Sequence, residues 1–147
     1  MDVHDKATRS FNMSRISNKD TSIELIVRRF LFHEGFRYNL KNKHIPGNPD
    51  IVFAKYKIAI FINGCFFHDH KNCDLVKPIR TNEDFWRKKI QKNVDRDIKN
   101  TSLLQKNGWK VIILWECEIE PRKRNSPKRN FVLENLKFQI QQIIKFK

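Results

Sequence analysis

The spacing of apolar residues along the chain predicts alternating helices and strands. A first helix begins at "TSIE" and ends near Gly35, because apolar residues recur there at helical spacing. Short strands are predicted at "FRYNL" and "DIVFA", and the apolar run "KIAIFIN" is typical of a buried central strand. A long helix from Asn82 to about Asn107, with Thr81 as its cap, precedes a second buried strand, "WKVIILWE". The last helix carries the apolar residues Val132, Leu136, Ile140, Ile143 and Ile144.

This order of elements predicts an α/β fold in which two distant segments meet. A strand, helix, strand crossover makes "KIAIFIN" and "WKVIILW" parallel if they share a sheet, and parallel strands end at the same edge. Cys65 lies two residues beyond the first strand, and Cys117 lies two residues beyond the second. The topology therefore predicts that Cys117 approaches the loop at Cys65.

The net charge narrows the range of partners. The 147 residues include 30 Lys and Arg against 16 Asp and Glu, which gives a formal net charge of +14 and a pI near 10.0. Such an excess favours a polyanion, of which nucleic acid is the usual one and a membrane surface the alternative. The sequence shows neither the roughly 18 apolar residues of a membrane-spanning helix nor the apolar core of a signal peptide. Three cysteines are too few for a disulfide framework, so we expect a soluble, intracellular, single-domain protein.

Four potential zinc ligands converge on the predicted sheet edge, namely Cys65, His70, Cys73 and Cys117. Three thiolates and one imidazole are a donor set of structural zinc sites. His68 is an alternative imidazole ligand; otherwise it can exchange protons beside the metal. The competing interpretation makes Cys65 and Cys117 small buried side chains and leaves His70 in solvent.

Two acidic residues are candidates for a second site, with oxygen ligands. Asp50 begins the strand after the turn "PGNP" and can offer a carboxylate oxygen to Mg2+, although Asp is also common in turns. Glu24 is interpreted first as the capping-box partner of Thr21. Because the neighbouring strand "KIAIFIN" contains no acid, a further ligand would be the carbonyl of Ile62 or the side chain of Asn63.

Aromatic and basic residues surround the same loop. Phe66 and Phe67 are adjacent within it, and Trp86 lies one turn into the long helix. Aromatic rings beside a basic surface can stack on bases or wedge between base pairs, whereas the alternative is burial against the sheet. The helix carries Lys89 and Asn93 on a polar face that can contact phosphates and base edges or can simply be solvated.

Six blocks of sequence, in order, resemble the very-short-patch repair (Vsr) endonuclease family: "DVHDKATRSFNMSRI", "TSIE", "PGNPDIVF", "INGCFFHDH", "FWRKKIQKNVDRD" and "LLQKNGWKVIILWEC". The resemblance implies a PD-(D/E)xK restriction-endonuclease-like fold, with a central mixed sheet flanked by helices. It implies a Mg2+-dependent enzyme that nicks double-stranded DNA 5′ to the T of a T:G mismatch, which arises when 5-methylcytosine deaminates. We expect one nuclease domain, 1–147, in which 1–18 form a basic DNA-binding arm, 19–117 the α/β core and 118–147 a basic linker and C-terminal helix.

The resemblance also implies roles for individual residues. Asp50 and the carbonyl of Ile62 would bind Mg2+, His68 would be the catalytic histidine, and Glu24 would belong to the catalytic site. Structural Zn2+ is implied at the same four residues that the topology brings together. DNA contacts are implied for the intercalating residues Phe66, Phe67 and Trp86, for the helix residues Lys89 and Asn93, and for Met13 and Ile16 of the arm.

The chain departs from the family pattern at three places. The pattern has Thr-His where this chain has Ile62 and Asn63, it has Trp at Phe67, and it lacks the extra residue before Cys73. A carbonyl ligand tolerates a change of side chain. Asn63 can orient a water molecule in the catalytic site, but an amide cannot act as a base at neutral pH.

The resemblance implies double-stranded DNA with a T:G mismatch as the main partner. A cognate cytosine-5 DNA methyltransferase system and mismatch-repair proteins are further implied partners, and we expect a monomer in the bacterial cytoplasm. Two other functions stay open. One is a non-catalytic, zinc-containing DNA-binding module, which the loss of a histidine at Asn63 would favour. The other is a nuclease of the same fold with a different DNA target.

Overall fold

The computed structural model describes residues 22–40, 42–73, 76–120 and 126–146. Met13 and Ile16, and with them the whole predicted arm 1–18, lie outside these residues, so their predicted DNA contacts stay predictions. The elements are α1 (Ser22–His33), β1 (Ile51–Phe53), a 3-10 turn (Ala54–Tyr56), β2 (Ile58–Asn63), α2 (Glu83–Lys106), β3 (Lys110–Trp115), α3 (Glu116–Ile119) and α4 (Lys128–Lys145).

A three-stranded mixed sheet in the order β1-β2-β3 forms the centre of the fold. β1 and β2 form an antiparallel hairpin in which Ile51 pairs with Ile60. β2 and β3 are parallel, and their last residues, Asn63 and Trp115, are partners in the register. The predicted α/β class and the parallel crossover are therefore confirmed.

Both faces of the sheet are covered, which explains the nearly continuous apolar sequence of its strands. On one face, Ile51, Ile60 and Leu114 pack with residues of α1 and α4, including Val27 and Ile140. On the opposite face, side chains of the three strands pack with residues of the turn before β1 and of α2. This second cluster contains Ile45, Val52, Ala59 and Leu104, with Phe61, Trp109 and Val111 packed against it.

Some predicted elements differ from the observed ones. "FRYNL" forms only an isolated antiparallel bridge, between Asn39 and Val52 of β1, instead of a strand. Thr81 is not the cap of α2: the cap position is Asn82, which has a left-handed backbone and no side-chain capping bond. The short helix α3 was not predicted; Cys117 lies in it, immediately after β3.

The turn before β1 positions Asp50 and requires a glycine. Gly47 has a φ of +82°, and a Cβ added to it would lie 3.0 Å from the ring of Phe61 and 3.2 Å from the Cβ of Asn100. A side chain at this position would be strained and would collide with the second core cluster. The "PGNP" turn is thus packed directly on the sheet.

None of the helices in the described part of the chain combines the length and hydrophobicity needed to span a membrane.

Candidate metal centre and active site

The four predicted zinc ligands come together at the shared edge of β2 and β3. The ligand atoms of Cys65, His70, Cys73 and Cys117 all lie within 4.8 Å of one another. Tetrahedral zinc, with Zn–S near 2.3 Å, would hold such atoms roughly 3.5–3.8 Å apart. A contraction of about 1 Å thus turns this cluster into a zinc site, and Nδ1 of His70 is already 3.5 Å from Sγ of Cys117.

Local contacts explain how the short loop presents these groups. The amide of His70 donates to the carbonyl of Cys65 at 2.9 Å, which closes a turn between two of the ligands. The imidazole of His70 stacks on Trp115, with ring centroids 4.0 Å apart and planes inclined by only 6°. Glu116, next to Cys117, accepts a hydrogen bond from the amide of Cys65 at 3.3 Å. The end of β3 therefore fixes both the imidazole ring of His70 and the start of the loop at Cys65.

The chemistry of the donor set fits zinc. Burial raises the pKa of the Cys65 thiol to about 12, and burial also raises the pKa of Cys117. Thiolates in this position are unfavourable unless a cation compensates their charge. A divalent, thiophilic ion supplies that compensation, so zinc and the folded loop are expected to stabilise each other.

His68 belongs to a different group of residues from the zinc cluster. Its Nδ1 forms a short contact with Oδ2 of Asp97 on α2, and both side chains remain partly exposed. The carboxylate favours the tautomer that carries its proton on Nδ1, which leaves Nε2 as an acceptor. The alternative in which His68 replaces His70 as a zinc ligand is therefore not favoured by the geometry.

Asp50 lies beside the end of β2. Its amide donates to the carbonyl of Ile60 at 3.0 Å, and its Oδ2 accepts from the amide of Ile62 at 2.7 Å. Ile62, the predicted carbonyl ligand, is thus adjacent to Asp50. Asn63 follows at the last position of β2, where its side chain is almost fully buried.

Glu24 on α1 completes an acidic pair with Asp50. Its carboxyl group is within hydrogen-bonding reach of Asp50 and is buried, with 3% of the residue exposed. Oε2 of Glu24 also accepts from Nη2 of Arg28 at 2.9 Å. The proposed second site therefore contains two carboxylates and one guanidinium.

Burial is the main influence on the charge of Asp50 and raises its pKa. The hydrogen bond from Ile62 opposes this rise, as do the hydrogen bond with Glu24 and the electrostatic influence of Arg28 and of His68. His68 is thus near enough to interact with Asp50. A cation at the acidic pair would compensate the unfavourable buried charge, and two carboxylates suit Mg2+.

The three aromatic side chains that the sequence singled out lie together outside the two core clusters of the sheet, and Phe85 packs on Trp86 beside them. The ring of Phe66 lies 5.2 Å from that of Phe67 and 5.7 Å from that of Trp86, measured between centroids. Phe67 is 46% exposed. Nζ of Lys89 lies 5.6 Å from the ring of Trp86. The described structure thus places a cation beside a partly exposed group of aromatic rings.

Comparison with known proteins identifies the family. A family model described as DNA mismatch endonuclease Vsr matches residues 1–75. The chain is 45% identical over 123 residues to DNA mismatch endonuclease Vsr of Escherichia coli (strain K12), across 84% of this chain and 78% of that protein. The chain belongs to the Vsr family. As a Vsr-family protein it is a DNA endonuclease, which confirms the family and the enzyme class that the sequence blocks predicted.

Other relatives of this Vsr-family chain bear a different name. It is 43% identical over 136 residues to type II nicking enzyme V.NmeAIP of Neisseria meningitidis serogroup A, across 92% of this chain and 96% of the relative. It is 36% identical over 123 residues to type II nicking enzyme V.XorIIP of Xanthomonas oryzae pv. oryzae, across 80% and 90% of the two chains. The similarity extends over nearly the whole of these relatives.

The sequence prediction missed two charged residues of the site, Arg28 and Asp97. Arg28 follows Glu24 by four residues on α1, a spacing that favours an ion pair and could have been recognised. The pairing of Asp97 with His68 joins residues 29 positions apart, and no local pattern indicates it. Asn93, predicted to contact the mismatch, donates to the carbonyl of Phe67 at 3.1 Å and so also supports the loop.

We predict that Cys117→Ala lowers the zinc content well below about one ion per chain and lowers the melting temperature, because one of four ligands is lost. Metal analysis of the purified protein and thermal unfolding measure both effects. His68→Ala is the matched control and should retain zinc. Full zinc content in Cys117→Ala would remove Cys117 from the ligand set, and zinc loss in His68→Ala would place His68 in it.

We predict that Asp50→Asn increases the free energy of unfolding at neutral pH in Mg2+-free buffer. The raised pKa means that the folded state binds the proton of Asp50 more tightly than the unfolded state, so ionisation of Asp50 costs stability. The advantage of the variant should shrink as pH falls through the folded pKa and vanish below the ordinary value of 3.8.

Urea unfolding across this pH range measures the effect. Asp84→Asn, at an exposed residue in the first turn of α2, is the control and should change stability by no more than about 0.5 kcal/mol. A variant of Asp50 that is less stable than the natural chain at neutral pH would contradict the unfavourable burial of this carboxylate.

Proposed function

We propose that the chain hydrolyses one strand of double-stranded DNA 5′ to the T of a T:G mismatch, with Mg2+ as cofactor and Zn2+ as a structural ion. The observation that carries the proposal is the meeting of Asp50, Glu24 and His68 at one end of β2. The endonuclease family of the chain supports the reaction, and the mismatch specificity is supported by the name of its relative from E. coli.

The architecture supports the PD-(D/E)xK type of fold as part of this proposal. The sheet consists of an antiparallel hairpin and a third strand, β3, that pairs in parallel with β2 after a crossover helix. The metal-binding acid Asp50 immediately precedes β1, and Glu24 comes from the helix before it. The domain boundaries, the monomeric state, the cytoplasmic location and the methyltransferase and mismatch-repair partners stay predictions.

Asp50 and the carbonyl of Ile62 are the proposed Mg2+ ligands, and Glu24 beside them is proposed to hold water molecules around the ion. Bound there, Mg2+ would stabilise the negative charge that develops on the phosphate and on the leaving oxygen. Oδ2 of Asp50 accepts a hydrogen bond from the amide of Ile62, and this bond would orient the carboxylate toward a metal ion. Asn63, at the end of the same strand, is proposed to orient the attacking water through its amide.

His68 is the proposed general base. A water molecule attacks the phosphorus, its proton passes to Nε2 of His68, and the bond between phosphorus and the 3′ oxygen breaks. Asp97 acts as a positioning residue, because its carboxylate holds the proton of Nδ1 and fixes the plane of the ring. The leaving 3′ oxygen takes up a proton from solvent water, so the products are a 5′ phosphate and a 3′ hydroxyl.

Phe66, Phe67 and Trp86 are the proposed wedge that recognises the mismatch. Inserting side chains between base pairs costs a few kcal/mol per step in lost stacking, and a weakened pair lowers that cost. Lys89 and Asn93 lie next to these rings and are proposed to contact the DNA at the mismatch. Zinc would hold the loop in place while the rings are inserted.

A second candidate is a nicking enzyme with a different DNA target. Two of the relatives named above are described as type II nicking enzymes, so a target other than the T:G mismatch is a specific alternative. The endonuclease family of the chain argues against the non-catalytic DNA-binding module. Nicking assays separate the two remaining targets.

The first prediction for this function is Mg2+-dependent nicking beside the T of a T:G duplex, absent on the matched T:A duplex and lost in Asp50→Asn. The variant should still bind the mismatch, since it alters the metal site and not the wedge. Strand cleavage is measured on zinc-loaded protein with and without added Mg2+, with varied flanking sequences. Cleavage of both duplexes would favour the second candidate, and binding without cleavage in any flanking sequence would contradict the proposed target.

A second prediction concerns the positioning of His68. Asp97→Asn should lower the rate of nicking roughly a hundredfold, because an amide can donate to Nδ1 and so favours the tautomer in which Nε2 carries the proton. Affinity for mismatched DNA and zinc content should be unchanged. Single-turnover kinetics measure the rate, and Asp95→Asn, on an exposed residue of the same helix, is the control. An unaltered rate in Asp97→Asn would exclude this role.

A third prediction concerns the wedge. Phe66→Ala should reduce the preference for T:G over T:A duplexes by roughly fivefold to a hundredfold, since stacking contributes about 1–3 kcal/mol per base. Binding to both duplexes is measured by fluorescence anisotropy at one salt concentration. Phe131→Ala removes a ring that is 75% exposed on α4 and should leave the preference unchanged. Equal losses on the two duplexes would argue against insertion.

A further inference from the structure

Arg28 lies inside the acidic site rather than on the surface around it. Its side chain is 12% exposed and that of Glu24 is 4% exposed, and Nη2 and Oε2 are 2.9 Å apart. The charge of Arg28 also acts on the carboxylate of Asp50. The neighbouring Arg29, by contrast, is exposed on the outer side of α1. One guanidinium therefore faces two carboxylates in a largely dry environment.

This arrangement matters for metal binding because charges act strongly at such distances. Opposite charges attract and like charges repel strongly when they lie this close together in a partly desolvated site. With Arg28 present, the ionised site has a formal charge of −1; without it, the charge would be −2. Arg28 thus reduces the repulsion between Glu24 and Asp50, and it also reduces the attraction of the pair for a cation.

We propose that Arg28 is an internal counter-ion that holds Glu24 and Asp50 together before the metal binds and sets the Mg2+ concentration at which the site fills. The inference rests on the proposed Mg2+ site. Arg28 is a positioning residue, since it acts through the two carboxylates. It keeps the acids close and correctly oriented, while the cation that completes the site stays exchangeable.

We expect two linked effects of Arg28→Met, one on stability and one on Mg2+ affinity. The variant should be less stable than the natural chain without Mg2+, because the paired carboxylates lose their counter-ion. Its Mg2+ affinity should be higher, on the order of tenfold, because the cation meets one more net negative charge. Added Mg2+ should therefore restore much of the lost stability, which a merely structural defect would not allow.

The experiment measures melting temperatures of zinc-loaded, full-length protein during a Mg2+ titration at constant ionic strength. Isothermal titration calorimetry with Mg2+ alone provides the affinity without any nicking reaction. Arg28→Lys keeps the charge and should behave like the natural chain. Arg29→Met removes an exposed arginine of the same helix and should also behave like the natural chain. The Mg2+ concentration for half-maximal nicking should fall on the order of tenfold in Arg28→Met only.

The outcomes separate this inference from the function on which it rests. A larger Mg2+-induced rise in melting temperature in Arg28→Met than in the natural chain supports the counter-ion. Equal rises and equal affinities overturn it while leaving the Mg2+ site intact. No binding of Mg2+ to any of the proteins overturns both. If Arg28→Met does not fold, the same comparison is made with Arg28→Gln, which keeps a hydrogen-bond donor but not the charge.

Discussion

The parallel pairing of β2 with β3 is the constraint on which both proposed metal sites depend. It sets Asn63 beside Trp115, so that the two segments leaving the sheet begin as neighbours. One segment carries Cys65, and the other carries Cys117. The same strand end places the amide of Ile62 against Asp50. A change in strand register by one residue would separate the sulfur atoms and would also turn Ile62 to the other face.

The loop after β2 divides its residues among three different environments. Cys65 and His70 belong to the zinc cluster, and Phe66 and Phe67 pack with Trp86. His68 contacts Asp97. Neighbouring residues can serve such different partners because the loop is built from tight turns instead of extended strand, with the amide of His70 bonded to the carbonyl of Cys65. Contacts from α2 and the end of β3 hold these turns, so the loop does not need an apolar core of its own.

Much of this arrangement could be predicted from the sequence, because long apolar runs and a crossover helix determine the sheet. The convergence of Cys117 with Cys65 follows from that topology alone. The pairing of His68 with Asp97 could not be predicted, because it depends on how α2 is rotated about its axis. The sequence gives little indication of that rotation, because Leu104 is the one buried residue of this 24-residue helix and a single position does not define an apolar face. Arg28 was missed for another reason, since the capping-box interpretation of Glu24 offered a sufficient local explanation.

The two proposed metal sites differ in how buried charge is compensated, and this difference suits their roles. Burial disfavours the thiolates of the zinc cluster, and the charge of Lys128 is the smallest of the influences on Cys117, so the folded loop and a tightly held zinc ion are expected to require each other. The acidic pair has Arg28 as a partial counter-ion and a hydrogen bond from Ile62. In the proposed role, the pair would keep its shape without a metal and would exchange Mg2+ as DNA arrives and leaves. A structural ion needs a site that is unstable without it, whereas a catalytic ion is better served by a site that persists in its absence.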